Sequence, residues 1–187
     1  MKSLRIAAGL LLIAAPAALR TASVSARPQL PHFEVRAAAA RVVVPSEDRP
    51  DITYRIVGGD PRLVLNVRCQ RGRLIVDGGL ESARFGWCRI RPGPAGTRTA
   101  EVRITGLGQV AWSSLPQILV AVPMDVKITA SGAVFGSVGR ARSIDLANDG
   151  YGDWALGDVT NRLRISQAGA GSSRAGQARS AQLRLAG

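Results

Sequence analysis

The chain predicts an all-β fold: an irregular β half that caps a parallel β-helix, or solenoid. Three observations carry this. The apolar pair Val126/Ile128 returns as Ile144/Leu146, Leu163/Ile165 and Leu183/Leu185, at steps of 18, 19 and 20 residues. Gly132 returns as Gly150 and Gly169, and Gly139 as Gly157 and Gly176, at steps of 18 and 19. A fixed period near 20 residues marks stacked supersecondary units, none of which can bury its apolar face alone. Finally, the apolar residues alternate with period two, and no 3.6-residue period persists beyond the first 26 residues, so helical repeats are excluded.

Taken in order, residues 1–26 read as a secretory signal peptide. Lys2 and Arg5 give the positive end, Ile6 to Leu19 the apolar run, and Val24-Ser25-Ala26 the small-residue cleavage site. A membrane anchor is the alternative, but Pro16 breaks the run and it is short for a span of about 20 residues. The expected product is exported to the periplasm, the outer surface or the medium, with no membrane span.

Residues 27–122 read as the irregular half. His32 sits in a Pro-flanked leader and is expected to be solvent-exposed; Phe33 to Val44 reads as a strand pair. Ile52 to Val57 is β-branched and alternating, and Gly58-Gly59-Asp60-Pro61 ends it as a turn. Leu63 to Cys69 and Leu74 to Asp77 form a hairpin around Gln70-Arg71-Gly72-Arg73. Gly78 to Gly86 is turn-rich, Arg91 to Thr99 a Pro- and Gly-bearing connection, and Glu101 to Ile104 and Gln117 to Val122 are strands.

Residues 123–187 read as the coils. Within them Lys127, Asp145 and Arg164 share one outward slot on successive coils, a mixed-charge ladder that reads as surface solvation. Leu183 and Leu185 have no rung above them, so the array reads as incomplete at its C-terminus. That edge would take either more chain or another protein, including a second copy pairing edge to edge.

Composition narrows the function. The hydrophobic fraction of 46% allows a real core, and aromatics are only 4%. Net charge is +12, falling to +9 once residues 1–26 and their three bases are removed. A polyanion such as a cell-wall or surface glycan is one partner this suggests. The bases are scattered, however, and 23 of 25 are Arg, which also fits the bias of a GC-rich genome. Aromatics are not interleaved with clustered bases, so no nucleic acid is expected.

Cys69 and Cys88 are the two cysteines. In an oxidising compartment they are expected to pair, a link worth about 3 kcal/mol; two buried free thiols are the alternative. No neighbouring His or Cys-x-x-Cys spacing suggests a catalytic thiol.

No catalytic, cofactor or metal residues are assigned. His32 is the single histidine, and no Gly-x-Ser-x-Gly elbow or phosphate loop occurs. Asp145, Asn148, Asp149, Asp153 and Asp158 gather, but Ala147 and Leu156 stand where a calcium loop needs oxygen ligands, so these read as turn-capping side chains. The candidate ligand face is Tyr151 and Trp154 with Asp145 and Asp153. The two aromatics could form a shelf for a sugar ring, or simply pack into the core.

The stretch Leu115-Pro116-Gln117, Val120 to Ile128 and Ala130-Ser131-Gly132 resembles the opening of the coil array in the auto-transporter adhesin head family, also called the GIN domain. Gly150-Tyr151-Gly152-Asp153, Ala168-Gly169-Ala170-Gly171 and Ala186-Gly187 are similar to that family's Gly-Ser-Gly-Asp corners. The likeness runs from about Phe33 to the end. It implies an exported right-handed β-helix with a surface or adhesive role and no catalytic motif. The competing reading is a polysaccharide-active enzyme, since β-helices also carry lyases and hydrolases on their sides.

Overall fold

The computed structural model describes residues 30–81, 84–92 and 98–186. The signal peptide expected over residues 1–26 lies outside the described residues. The fold is all-β: one mostly parallel sheet of 12 strands and one antiparallel sheet of three strands.

The main sheet is organised by two long strands, β1 (His32–Val44) and β10 (Asp125–Val138), which pair in parallel from His32 against Lys127 to Val44 against Val138. Phe33 to Val44 is thus one bent strand rather than a strand pair. Its bend is a register shift between Val35 and Ala38, where Ala37 takes φ +48°. On its other side, the first half of β1 meets β5 (Arg73–Asp77), and its second half meets β9 (Gln117–Pro123). Beyond β5 lies β4 (Asn66–Gln70), joined to it by a hairpin whose Arg71 and Gly72 both have positive φ, as a two-residue hairpin turn needs. This hairpin covers the first half of β1. Short β2 (Ser46–Glu47) and antiparallel β3 (Thr53–Val57) complete the flank on β9.

From β10 onward the sheet grows as two parallel ladders. The first half of β10 pairs with β11 (Ala141–Gly150), then β13 (Val159–Ala168), then β15 (Ala178–Ala186). The second half pairs with β12 (Trp154–Leu156), then β14 (Ser173–Ala175). The register matches Val126 with Ile144 and Leu163, and Ile128 with Leu146 and Ile165. The outward ladder is as read: Lys127 faces Asp145, which faces Arg164.

The last repeat is corrected. Leu163 pairs with Ala181 and Ile165 with Leu183, so the step is 18, not 20, and Leu185 pairs with Gln167. A slip of two residues keeps every side chain on its own face, so the inward pattern could not distinguish the two registers.

Glycine sets the corners. Gly132 has φ +93°, and a Cβ there would lie 2.9 Å from Ala38 N. Gly169, with φ +91°, stands in the same relation to Gly150 O, at 2.8 Å. Each corner rests against the backbone of the one before it, leaving no room for a side chain.

Two cores result. Phe33, Val35, Val126, Ile128, Ile144, Leu146, Leu163 and Ile165 from one ladder meet Val42, Val44, Val134, Val138, Trp154 and Leu156 from the other. The three-stranded sheet, β6 (Phe85–Pro92), β7 (Arg98–Ile104) and β8 (Gly108–Ala111), contributes to a second core on the outward side of β1 and β10. There Phe85, Val102, Ile104 and Val110 bury Ala39, Ala133 and Phe135.

The expected Cys69–Cys88 disulfide is not formed. Cys69 is an exposed thiol on β4 in the main sheet, and Cys88 a half-buried thiol on β6 in the small one. Pairing was inferred from compartment alone, and the fold puts the two on different sheets. His32 is likewise no free linker residue. It opens β1, half-buried, with Nε2 2.9 Å from Thr129 Oγ1, and burial followed by the charges of Arg73 and Lys127 holds its pKa below the usual value.

Candidate ligand groove

The second ladder turns its outward face toward the small sheet, and between them lies a cavity of about 380 Å³. Its floor is a row fixed by register: Val43 beside Ser137, Ser137 beside Ala155, Ala155 beside Arg174. Three of these four are short side chains, and their shortness makes the surface concave. The row crosses four strands, roughly 14 Å at the usual interstrand spacing.

One wall is aromatic and basic. Trp112, in a 3-10 turn (Trp112–Ser114), meets Phe135 edge-on with ring centroids 5.0 Å apart and planes at 69°. Arg41 lies over the Trp112 ring with Cζ 5.8 Å from its centroid, and its Nε donates to Leu115 O at 3.2 Å. Leu115 follows the 3-10 turn, so one guanidinium ties the turn to β1.

The opposite wall is Asp153, Ser172 and Arg174. Asp153 Oδ1 accepts from Ser172 N at 3.0 Å and Ser172 Oγ at 2.8 Å, joining one repeat's corner to the next. Asp158 does the same for Gln177 N at 3.0 Å. Neither Arg41 nor Arg174 makes an ion pair among the described residues.

Trp154 closes the cavity from below. It is 1% exposed, so it is no surface shelf, and its indole lies over Gly136 of the neighbouring strand. Its Nε1 has no acceptor among the described residues.

Of the expected ligand face, Trp154 and Asp153 reach this groove and Tyr151 and Asp145 do not. Tyr151 packs on Phe85 with centroids 6.2 Å apart, at the second core. Asp145 stays on the outer ladder, 3.7 Å from Arg164. Arg41, Trp112 and Arg174 were not singled out as ligand residues. They are 71 and 62 residues apart in the chain; the register of β1, β10, β12 and β14 aligns the strands that carry Arg41 and Arg174, and packing on Phe135 and Arg41 brings in Trp112. Among the described residues no group of three His, Cys, Asp or Glu side chains could hold a metal ion.

No family model matches the chain, the GIN domain included, and no curated protein matches it. One solved structure, described as a "putative cell adhesion protein" from Clostridium sporogenes, aligns over 83% of this chain and 92% of that one. The identity is 6% and the TM-score 0.37, too distant to carry an argument about function.

Proposed function

We propose that the chain is an exported, non-enzymatic binding module of the adhesion type, and that the groove between Trp112 and Arg174 is its glycan site. The groove itself carries the reading. A concave surface of about 380 Å³, walled by aromatic rings and a few polar groups, is the form that small-ligand and sugar sites take. Its charged groups are two arginines and one carboxylate already engaged by Ser172, which suits holding a ligand rather than shuttling its protons.

We further read the fold as the right-handed parallel β-helix that the GIN-domain resemblance implies. Support comes from two parallel ladders that advance together by 18 or 19 residues per repeat. Parallel crossovers are right-handed in about 98% of cases.

The test is intrinsic tryptophan fluorescence of the exported protein titrated with a panel of neutral and acidic trisaccharides. Trp112 and Trp154 both border the groove, so binding should change the signal, and Ser137→Trp, which fills the exposed floor, should abolish it. If no sugar in the panel is bound, the glycan reading falls.

The free edge of β15 supports a second contact. Leu183 and Leu185 are 63% and 77% exposed on β15, which among the described residues pairs only with β13. An open strand edge with apolar side chains is a template for pairing, and a second copy is the occupant proposed here. Light scattering on Leu183→Lys should then show monomer where the unaltered chain is dimeric; a monomeric unaltered chain would rule the contact out.

A further inference from the structure

We infer that the groove selects carboxylated sugars, that is, short glycans containing uronic or related acidic residues, over their neutral counterparts. This rests on the glycan reading above and adds the ligand's charge. The observation behind it is an excess of positive over negative groups in the groove. Arg41 and Arg174 contribute two guanidinium groups, and Asp153 one carboxylate whose Oδ1 is occupied by Ser172 N and Oγ.

Arg41 is the more telling of the two. It is half-buried, partly desolvated by the Trp112 ring, and spends Nε on a backbone carbonyl. A guanidinium in such a position is commonly matched by a carboxylate, because its planar fork fits one bidentately. None of the described residues supplies it. Elsewhere the protein does make that match: Arg36 and Arg68 reach Asp77, and Arg142 reaches Asp125.

Arg174 stands at the far end of the floor row, exposed, where Ser137 and Ala155 leave open space beside it. The row's length of roughly 14 Å suits two or three sugar rings better than one, with acidic groups spaced toward both ends. A sugar face would lie against Trp112, which Phe135 backs edge-on, and ring or hydroxyl oxygens would accept from donors that the protein leaves open. A free inorganic anion would use the arginines but not the aromatic wall. The combination of wall and charge therefore points to an acidic sugar.

The experiment compares trimers of galacturonic, mannuronic and guluronic acid, each beside its carboxyl-reduced neutral trimer, by calorimetry on the exported protein. At least one acid should bind about tenfold tighter than its neutral partner, and Arg174→Gln and Arg41→Gln should each bring the ratio of acid to neutral affinity to about one. Arg71→Gln, at the distant β4–β5 turn, controls for net charge and should change nothing. Equal binding of every acid and its neutral partner overturns the inference and leaves the glycan site standing. An acid preference that survives both groove substitutions, or that Arg71→Gln also removes, overturns it as well. Binding of no trimer at all defeats the glycan reading itself.

Discussion

Gly136 on β10 and Trp154 on β12 are register partners, and the indole occupies the space where a side chain at 136 would stand. A Cβ there would overlap Cε3, Cζ3 and Cδ2 of the ring. The largest side chain of the main core is thus seated by the absence of one on the next strand. Gly136 also borders the groove, so the same pair fixes the core and the floor of the proposed site.

Gly136→Ala should therefore destabilise the protein by about 1–3 kcal/mol, the cost of overpacking a filled core. Urea unfolding reads this as a lower midpoint with an unchanged slope. Because Trp154 must move, the trisaccharide affinity should fall as well. An unchanged midpoint would mean the indole does not rest on Gly136.

Asn148 and Gln167 are a buried polar pair inside the first ladder, 2% and 8% exposed. Asn148 Nδ2 donates to Gly152 O at 3.0 Å and Gln167 Oε1 at 3.1 Å, and Ser173 Oγ donates to the same Gln167 oxygen at 2.7 Å. Asn148→Ala strands Gly152 O and should cost about 1–3 kcal/mol. Asn148→Leu with Gln167→Leu removes both amides and should cost less than the sum of the two single changes, a coupling that a double-mutant cycle measures directly.

These residues also show where sequence reading works. The repeats from Val126 onward were legible because inward aliphatics and corner glycines recur locally, each at a fixed offset. β1 belongs to the same stack but was not legible as such. It lies about 94 residues before its partner β10, and its corner is Ala37 at φ +48° where the later repeats use Gly132 and Gly169. The final register failed by two residues because a two-residue slip preserves the pleat. The groove was half legible. Trp154 and Asp153 stood out beside a glycine corner, whereas Arg41, Trp112 and Arg174 are joined by tertiary pairing that no local pattern encodes. The disulfide failed because a cysteine count speaks to compartment and not to distance.

Acid should weaken the fold through carboxylates held below their usual pKa. The hydrogen bond from the Arg62 side chain, with a second from its backbone N–H, holds Asp60 at about 2. The Arg142 side chain lowers Asp125, and the Gly79 backbone N–H, then Arg36, lowers Asp77. Depressed carboxylates contribute stability above the unfolded value of 3.8 and lose it as pH falls through the folded one. The urea midpoint should thus decline from about pH 4 toward pH 2. NMR titration of the Asp60 side chain should give a midpoint about 2. A midpoint near 3.8 would mean the Arg62 contacts do not persist in solution.

The two thiols should behave as separate groups of unequal reactivity. Burial, followed by the nearby charge of Asp153, pushes the Cys88 thiol up to about 11, so at pH 8 its thiolate is on the order of one in a thousand. Cys69 is exposed on β4. Iodoacetamide at pH 8 should alkylate Cys69 in the native protein and reach Cys88 only after unfolding. Asp153→Asn removes the neighbouring anion and should speed Cys88 alkylation at fixed pH without touching Cys69. The raised pKa also carries a sign: its stabilising share is complete below the unfolded value of 9.0 and is lost as pH rises through about 11. An intact mass two hydrogens lighter before reduction than after it, with neither cysteine alkylated, would instead mean a bridge, which this structure, with both thiols free, does not contain.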